Sequence, residues 1–264
     1  MNRRLVLASL ALVALALVAG CLGSGPIPDD RLDASPEEAY AWDQPERVHI
    51  TLQENAKFRA VYRLNSTEME LFRRDGFGGR NPLSVEAIRY RYPNGSVVTG
   101  TEIRARNGSV ERNRDRVLVT LPADAPPGGK LAFTADSTPK RFSLPVYVEG
   151  DYEVVLPPNR RVEVPVFGSV SPGGYSTETT PDARTHIQWD EVTSRSVVVQ
   201  FYLQRDLYIF GGVAAALVVL GIGGLAYYRR QIEALKRQRE ELGLDVEEED
   251  DDDEFRRGPP PGMR

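Results

Sequence analysis

The 264-residue chain has one cysteine, two histidines and only four lysines (Lys57, Lys130, Lys140 and Lys236). Each shortage closes off some chemistry. With Cys21 alone there can be no intramolecular disulfide, and no thiolate set can hold a structural zinc. His49 and His186 fall in different apolar-alternating runs. His49 alternates with Val48 and Ile50, so it is expected to face solvent. His186 lies near Asp190 and Glu191, a grouping too sparse for a zinc signature. All four are read as surface polar residues, with no metal and no cofactor expected. There is no Gly-x-Ser-x-Gly elbow, no phosphate-binding Gly-x-x-x-x-Gly-Lys and no His-Glu-x-x-His. Gly76-Phe77-Gly78-Gly79 lacks the strand–helix setting of a nucleotide loop. No catalytic residue is identified, and a non-enzymatic protein is expected. Residues 22–206 carry 23 basic and 26 acidic side chains, which is no footprint for nucleic acid.

Two apolar segments frame the chain. Arg3-Arg4 precede Leu5–Ala19, fifteen residues in which only Ser9 is polar. That is short for a membrane span, which needs about 20 apolar residues, and it fits a signal peptide over residues 1–20. Asn2-Arg3-Arg4-Leu5-Val6-Leu7 partly resembles a twin-arginine export signal, and the general export route stays open. Val18-Ala19-Gly20-Cys21 resembles the lipobox of a prokaryotic lipoprotein. The resemblance implies cleavage between Gly20 and Cys21 and a lipid on Cys21. Residues 21–45 are read as a lipidated N-terminus and linker, with a short helical turn near Ser35-Pro36-Glu37-Glu38.

The second segment, Leu207–Tyr228, is 22 residues without a charge. At about 1.5 Å per residue it is long enough to cross a bilayer. Tyr208 and Phe210 at one end and Tyr227-Tyr228 at the other suit the two interfaces. Arg229, Arg230, Lys236, Arg237 and Arg239 follow it, which puts the C-terminus in the cytoplasm and the region before the helix outside. Gly211/Ala215 and Gly212/Ala216 are small-xxx-small pairs that permit close helix approach and a homo-oligomer.

Between these segments, residues 46–203 are predicted to be mainly β, a β-sandwich-like extracytoplasmic domain of one large or two small units. The predicted strands are Val48–Leu52, Phe58–Leu64, Val85–Tyr92, Ser96–Arg104, Arg116–Leu121, Leu131–Ala135, Arg141–Val148, Tyr152–Leu156, Arg161–Phe167, His186–Trp189 and Ser196–Leu203. Pro93-Asn94-Gly95 marks a hairpin turn, and residues 122–129 are the candidate boundary if there are two units. Asn65, Asn94 and Asn107 each begin an Asn-x-Ser/Thr sequon and are candidate glycosylation sites. Only Gln204-Arg205-Asp206 separate the last predicted strand from the membrane helix.

Residues 229–243 read as a cytoplasmic juxtamembrane helix. Residues 244–264 read as an acidic disordered tail, since Glu247–Glu254 are eight consecutive acidic residues that repel one another. Scarce lysine and the acidic excess also suit high salt, where charge is screened within a few ångströms. Val18-Ala19-Gly20-Cys21, the run Tyr202–Tyr208 leading into the helix, and the acidic tail together resemble uncharacterised haloarchaeal surface lipoproteins with a C-terminal transmembrane helix. That resemblance implies a location in the cell membrane with the bilayer as partner, and it implies no mechanism. The expected function is a non-enzymatic envelope binding or assembly role through the β domain. The alternatives are a transmembrane sensor or accessory subunit, and an exported hydrolase.

Overall fold

A computed structural model describes residues 26–241. The chain is mainly β up to Leu203 and then continues as one long helix. A short helix, α1 (Asp29–Leu32), opens the described chain. The first strands are β1 (Val48–Leu52), β2 (Lys57–Arg63), β3 (Glu68–Arg74), β4 (Arg80–Pro82), β5 (Val85–Arg91) and β6 (Val97–Thr99). Helix α2 (Gly100–Ala105) separates them from β7 (Ser109–Arg112), β8 (Val117–Thr120), β9 (Lys130–Asp136), β10 (Arg141–Pro145) and β11 (Gly150–Val155). There follow β12 (Arg160–Arg161), β13 (Ser169–Ser171), β14 (Ser176–Thr179), β15 (Thr185–Val192), β16 (Ser196–Gln200), β17 (Tyr202–Leu203) and α3 (Gln204–Glu241).

Eight strands form the main sheet in the order β14-β15-β11-β1-β2-β9-β5-β6. Its neighbours pair antiparallel except β1 and β11, which run parallel with His49 opposite Glu153. The sheets β10-β16-β13 and β4-β3-β8-β7 supply the second layer. Alternation decides the core: Phe58, Ala60 and Tyr62 on β2 point inward with Leu131 and Phe133 on β9 and Val48 and Ile50 on β1. The layers meet where Phe58 packs edge-on to Phe142 of β10, ring centroids 5.2 Å apart. Tyr147 bridges them again, lying 5.9 Å from the Tyr62 ring and hydrogen-bonding both backbone groups of Phe72. This is the sandwich-like arrangement that the short alternating runs predicted.

Several local expectations are corrected. Ser96–Arg104 is not one strand: Thr99 caps a helix, accepting from the Glu102 amide while the Glu102 carboxylate accepts from the Thr99 amide. Arg161–Phe167 is a strand only at its first residue, where β12 pairs with β17, because Pro165 cannot donate and Val164–Gly168 turns back on itself. Strands β3, β4, β7, β13 and β14 had not been predicted. Residues 122–129 do not divide two units: β9 beyond them is paired between β2 and β5, and the described residues form one unit as far as Gln204.

The largest correction concerns the presumed linker. Residues 26–45 are a packed strap on the main sheet. Leu32 is fully buried, and Tyr40 joins Val61, Ala87 and Ala132 in a small second core. The Tyr40 hydroxyl donates to the carbonyl of Ala87 and meets Thr134 Oγ1 at 3.0 Å. Ala87 has φ 54° and marks the bulge in β5. Basic side chains hold the strap by its carbonyls: Arg89 reaches Leu32, Asp33 and Ala34, Arg59 reaches Ala39, Lys130 reaches Trp42 and Gln44, and Arg63 reaches Pro45. Sequence patterning could not show this, because the apolar anchors are far apart and the carbonyls carry no side-chain signal. Arg89→Ala removes three such bonds at once and is expected to cost about 1–3 kcal/mol. Hydrogen exchange should then quicken in residues 29–35 while the main sheet stays protected. Equal loss of protection everywhere would contradict the strap's separate attachment.

Helix α3 forms a second unit from Arg205 onward. It is long and apolar enough to cross a membrane, with a mean hydropathy of 2.3 over its best window and none of that window buried.

Candidate functional site

The two histidines, far apart in sequence, converge on one carboxylate. On the face of the main sheet opposite the core, β1 offers His49 and Thr51, β11 offers Glu153, and β15 offers His186 and Gln188. His49 Nδ1 lies 2.7 Å from Glu153 Oε2. His186 Nδ1 lies 2.8 Å from Glu153 Oε1, which also accepts from Gln188 Nε2 at 3.0 Å. His49 Nε2 reaches Thr51 Oγ1 at 3.1 Å. His49 is 5 % exposed and Glu153 4 %, so this is a buried polar cluster.

Burial alone would push the Glu153 carboxyl up, because removing a charge from water disfavours it. The hydrogen bonds from His49, His186 and Gln188 outweigh that and hold it down at about 2. The carboxylate is therefore ionised throughout the ordinary pH range, and its three hydrogen bonds are what make a buried charge tolerable.

This corrects both histidine expectations. His49 does point away from Val48 and Ile50, as alternation requires, but that side meets Glu153 and is closed to solvent. His186 turns to Glu153 and not to Asp190 or Glu191, which are exposed. The cause is a register shift between Gly150 and Tyr152: Gly150 pairs with Val192 and Tyr152 with Trp189, so Asp190 and Glu191 bulge out of the ladder. Glu153, Gln188 and Glu46 had not been singled out. An alternating run read one strand at a time gives no sign of its partner, and β1 and β11 are about a hundred residues apart.

Glu46 stands at the rim of the cluster. One oxygen each from Glu46 and Glu153 and one ring nitrogen of His49 all lie within 4.8 Å of one another. Glu46 Oε2 is buried and has no hydrogen-bond partner.

Thr51, His49 and Glu153 also form a hydroxyl–imidazole–carboxylate relay in the order used by acyl-transfer enzymes. The setting differs from that of a nucleophile. Thr51 sits within a central strand, paired with Val155 on one side and Arg59 on the other. Its backbone groups are engaged in the ladder, whereas a nucleophile sits on a sharp turn beside free N–H donors. The relay positions His49.

Gly20 and Cys21 lie outside the described residues, as do the signal peptide and the acidic tail. Asn65, Asn94 and Asn107 are all exposed. Asn94 forms the β5–β6 turn, its side-chain oxygen accepting from the Ser96 amide and hydroxyl. Asn107 ends α2 in the left-handed region, φ 61°. Gly211, Gly212, Ala215 and Ala216 lie exposed along α3.

No curated protein matches the chain. A family model does match, over residues 44–247, a span that takes in Glu46, both histidines, Glu153 and the whole of α3. The chain belongs to DUF5803, a family of unknown function.

Proposed function

We propose that this chain is a membrane-anchored cell-surface protein whose β domain works outside the cell as a non-enzymatic binding or assembly surface for an envelope component. The observation that carries the reading is α3. From Leu207 to Tyr228 it has no charged residue, and side chains such as Val218, Leu220 and Ile222 are 60–70 % exposed. A water-soluble protein would not leave such a surface bare, whereas a bilayer covers it. The basic residues that follow, Arg229, Arg230, Lys236 and Arg237, favour a cytoplasmic C-terminus. In this reading Gly20-Cys21 is the cleavage and lipidation site, as in the haloarchaeal surface lipoproteins the sequence resembles. Asn65, Asn94 and Asn107 are exposed acceptors for glycans. The cluster around Glu153 holds the β domain together and turns over no substrate.

A second reading, a sensor or accessory subunit, is favoured by the junction. β17 ends at Leu203 and α3 begins at Gln204, whose amide donates to the Asn159 carbonyl. The expected three-residue spacer is thus already helical.

In-cell crosslinking of the full-length chain in its native membrane, followed by mass spectrometry, tests the proposal against a chain truncated after Gly243. A stoichiometric partner joined to residues 46–203 in both chains is the expected result. A partner lost with the tail would transfer the function to the sensor reading. Crosslinks confined to the chain itself would overturn the binding role.

A further inference from the structure

We propose that Glu46, His49 and Glu153 form a binding site for one divalent transition-metal ion of the zinc type. Three observations converge. The donor atoms of two carboxylates and one imidazole already lie within 4.8 Å of one another. His49 and Glu153 are both more than nine-tenths buried, so the site is built into the sheet and is not a chance meeting of surface chains. Glu46, whose carboxylate reaches this cluster, has its Oε2 buried with no donor to satisfy it.

That last point is the least comfortable feature of the protein as it stands. A buried carboxylate oxygen without a donor costs free energy, and placing it near a second carboxylate costs more. His49 does not relieve it, because its two nitrogens face Glu153 and Thr51. A cation does. Two carboxylates and a neutral imidazole carry a net charge of −2, which one divalent ion cancels.

The donor set selects the class of ion. Imidazole with carboxylate suits zinc, cobalt, nickel and manganese, whereas calcium and magnesium take all-oxygen sets. Zinc-type bonds of about 2.0–2.2 Å place neighbouring donors a little over 3 Å apart. His49 Nδ1 and Glu153 Oε2, at 2.7 Å, need to part by only about half an ångström. The ion takes the place of the hydrogen bond between them: His49 Nδ1 gives its lone pair to the ion, and the single proton of the neutral ring sits on Nε2, facing Thr51 Oγ1. His186 and Gln188 hold the other oxygen of Glu153 and act as positioning residues that keep the carboxylate aimed. The spacing Glu46-x-x-His49 places two ligands where the strap enters β1, and Glu153 adds the third from β11. The ion therefore fastens the parallel β1–β11 pair.

The test uses the full-length chain in detergent micelles, stripped with a chelator and desalted. Zinc is titrated by calorimetry and cobalt by its visible absorption, which reports a nitrogen-containing coordination sphere. One saturable site is expected, with a higher Tm with zinc. Glu46→Gln keeps the shape and breaks no hydrogen bond made by Oε2, so it should fold normally, bind zinc at least tenfold more weakly and lose the Tm rise. His49→Gln should abolish the cobalt spectrum. The acidic tail takes up cations equally in all variants, so it cannot mimic these differences. Equal zinc affinity in the parent and Glu46→Gln, or no saturable site in the parent, would overturn the assignment. Calcium competing as well as zinc would overturn the choice of ion class.

Discussion

Glu153→Ala is expected to be the most damaging polar substitution in the β domain, costing about 3–5 kcal/mol even with no metal present. It removes the acceptor for His49, His186 and Gln188 together and leaves His49 buried without its partner. Glu153→Gln keeps the volume and one acceptor oxygen, so it should cost less. The two variants thus separate lost packing and acceptors from lost charge. A pH series separates them further. Glu153 is held at about 2 in the folded protein, against 4.5 for an unperturbed glutamate. Its folded value is depressed, so the stability it contributes is present in full above the unfolded value and disappears as pH falls from about 5 towards 2. That contribution is on the order of 3 kcal/mol. In a chelating buffer, the Tm gap between the parent chain and Glu153→Gln should therefore close across this window. A gap that stays constant down to pH 2 would show that the carboxylate's charge contributes nothing.

The second large effect is in the apolar core. Phe58 is fully buried and stands between Phe133, 6.1 Å away in its own sheet, and Phe142, 5.2 Å away in the facing layer. Phe58→Ala is expected to cost about 3–5 kcal/mol and to lower the Tm by on the order of 10 °C. Phe58→Leu fills most of the space but forfeits both edge-to-face contacts, and it should fall in between. Chemical denaturation gives the comparison directly. If Phe58→Ala lowers stability by less than 1 kcal/mol, the two sheets are not held at this point.

These two predictions draw on parts of the protein that differ in how visible they are from sequence. The run Phe58–Leu64 was legible as a strand, and within it Phe58, Ala60 and Tyr62 take the inward face. In Arg116–Leu121, likewise read as a strand, the alternating Val117, Val119 and Leu121 are the buried residues. Periodicity failed for β3, whose sequence Glu-Met-Glu-Leu-Phe-Arg-Arg carries too many charges to look like a strand, although Met69 and Leu71 are buried. The α2 helix was legible in principle, since Thr99 and Glu102 have capping-box spacing, but Val97-Val98 before it favoured the strand reading. For His49, periodicity gave the correct side of the strand. What lay on that side depended on a parallel neighbour a hundred residues away and on a strap whose hold on the sheet runs through backbone carbonyls. Neither leaves a local pattern.

The parallel pairing of β1 with β11 also has a consequence in time. One flank of β1 is closed by β2 as soon as Phe58–Arg63 exists, but the other must wait for Glu153 and its neighbours. At synthesis rates of about 5–20 residues per second, the middle of the largest sheet stands open for roughly 5–20 seconds in a growing chain. The nascent N-terminal half is therefore a half-built edge that invites wrong pairing. The His49–Glu153 bond closes late, and the outer flank of β11 waits longer still, until β15 emerges and brings His186 to the same carboxylate.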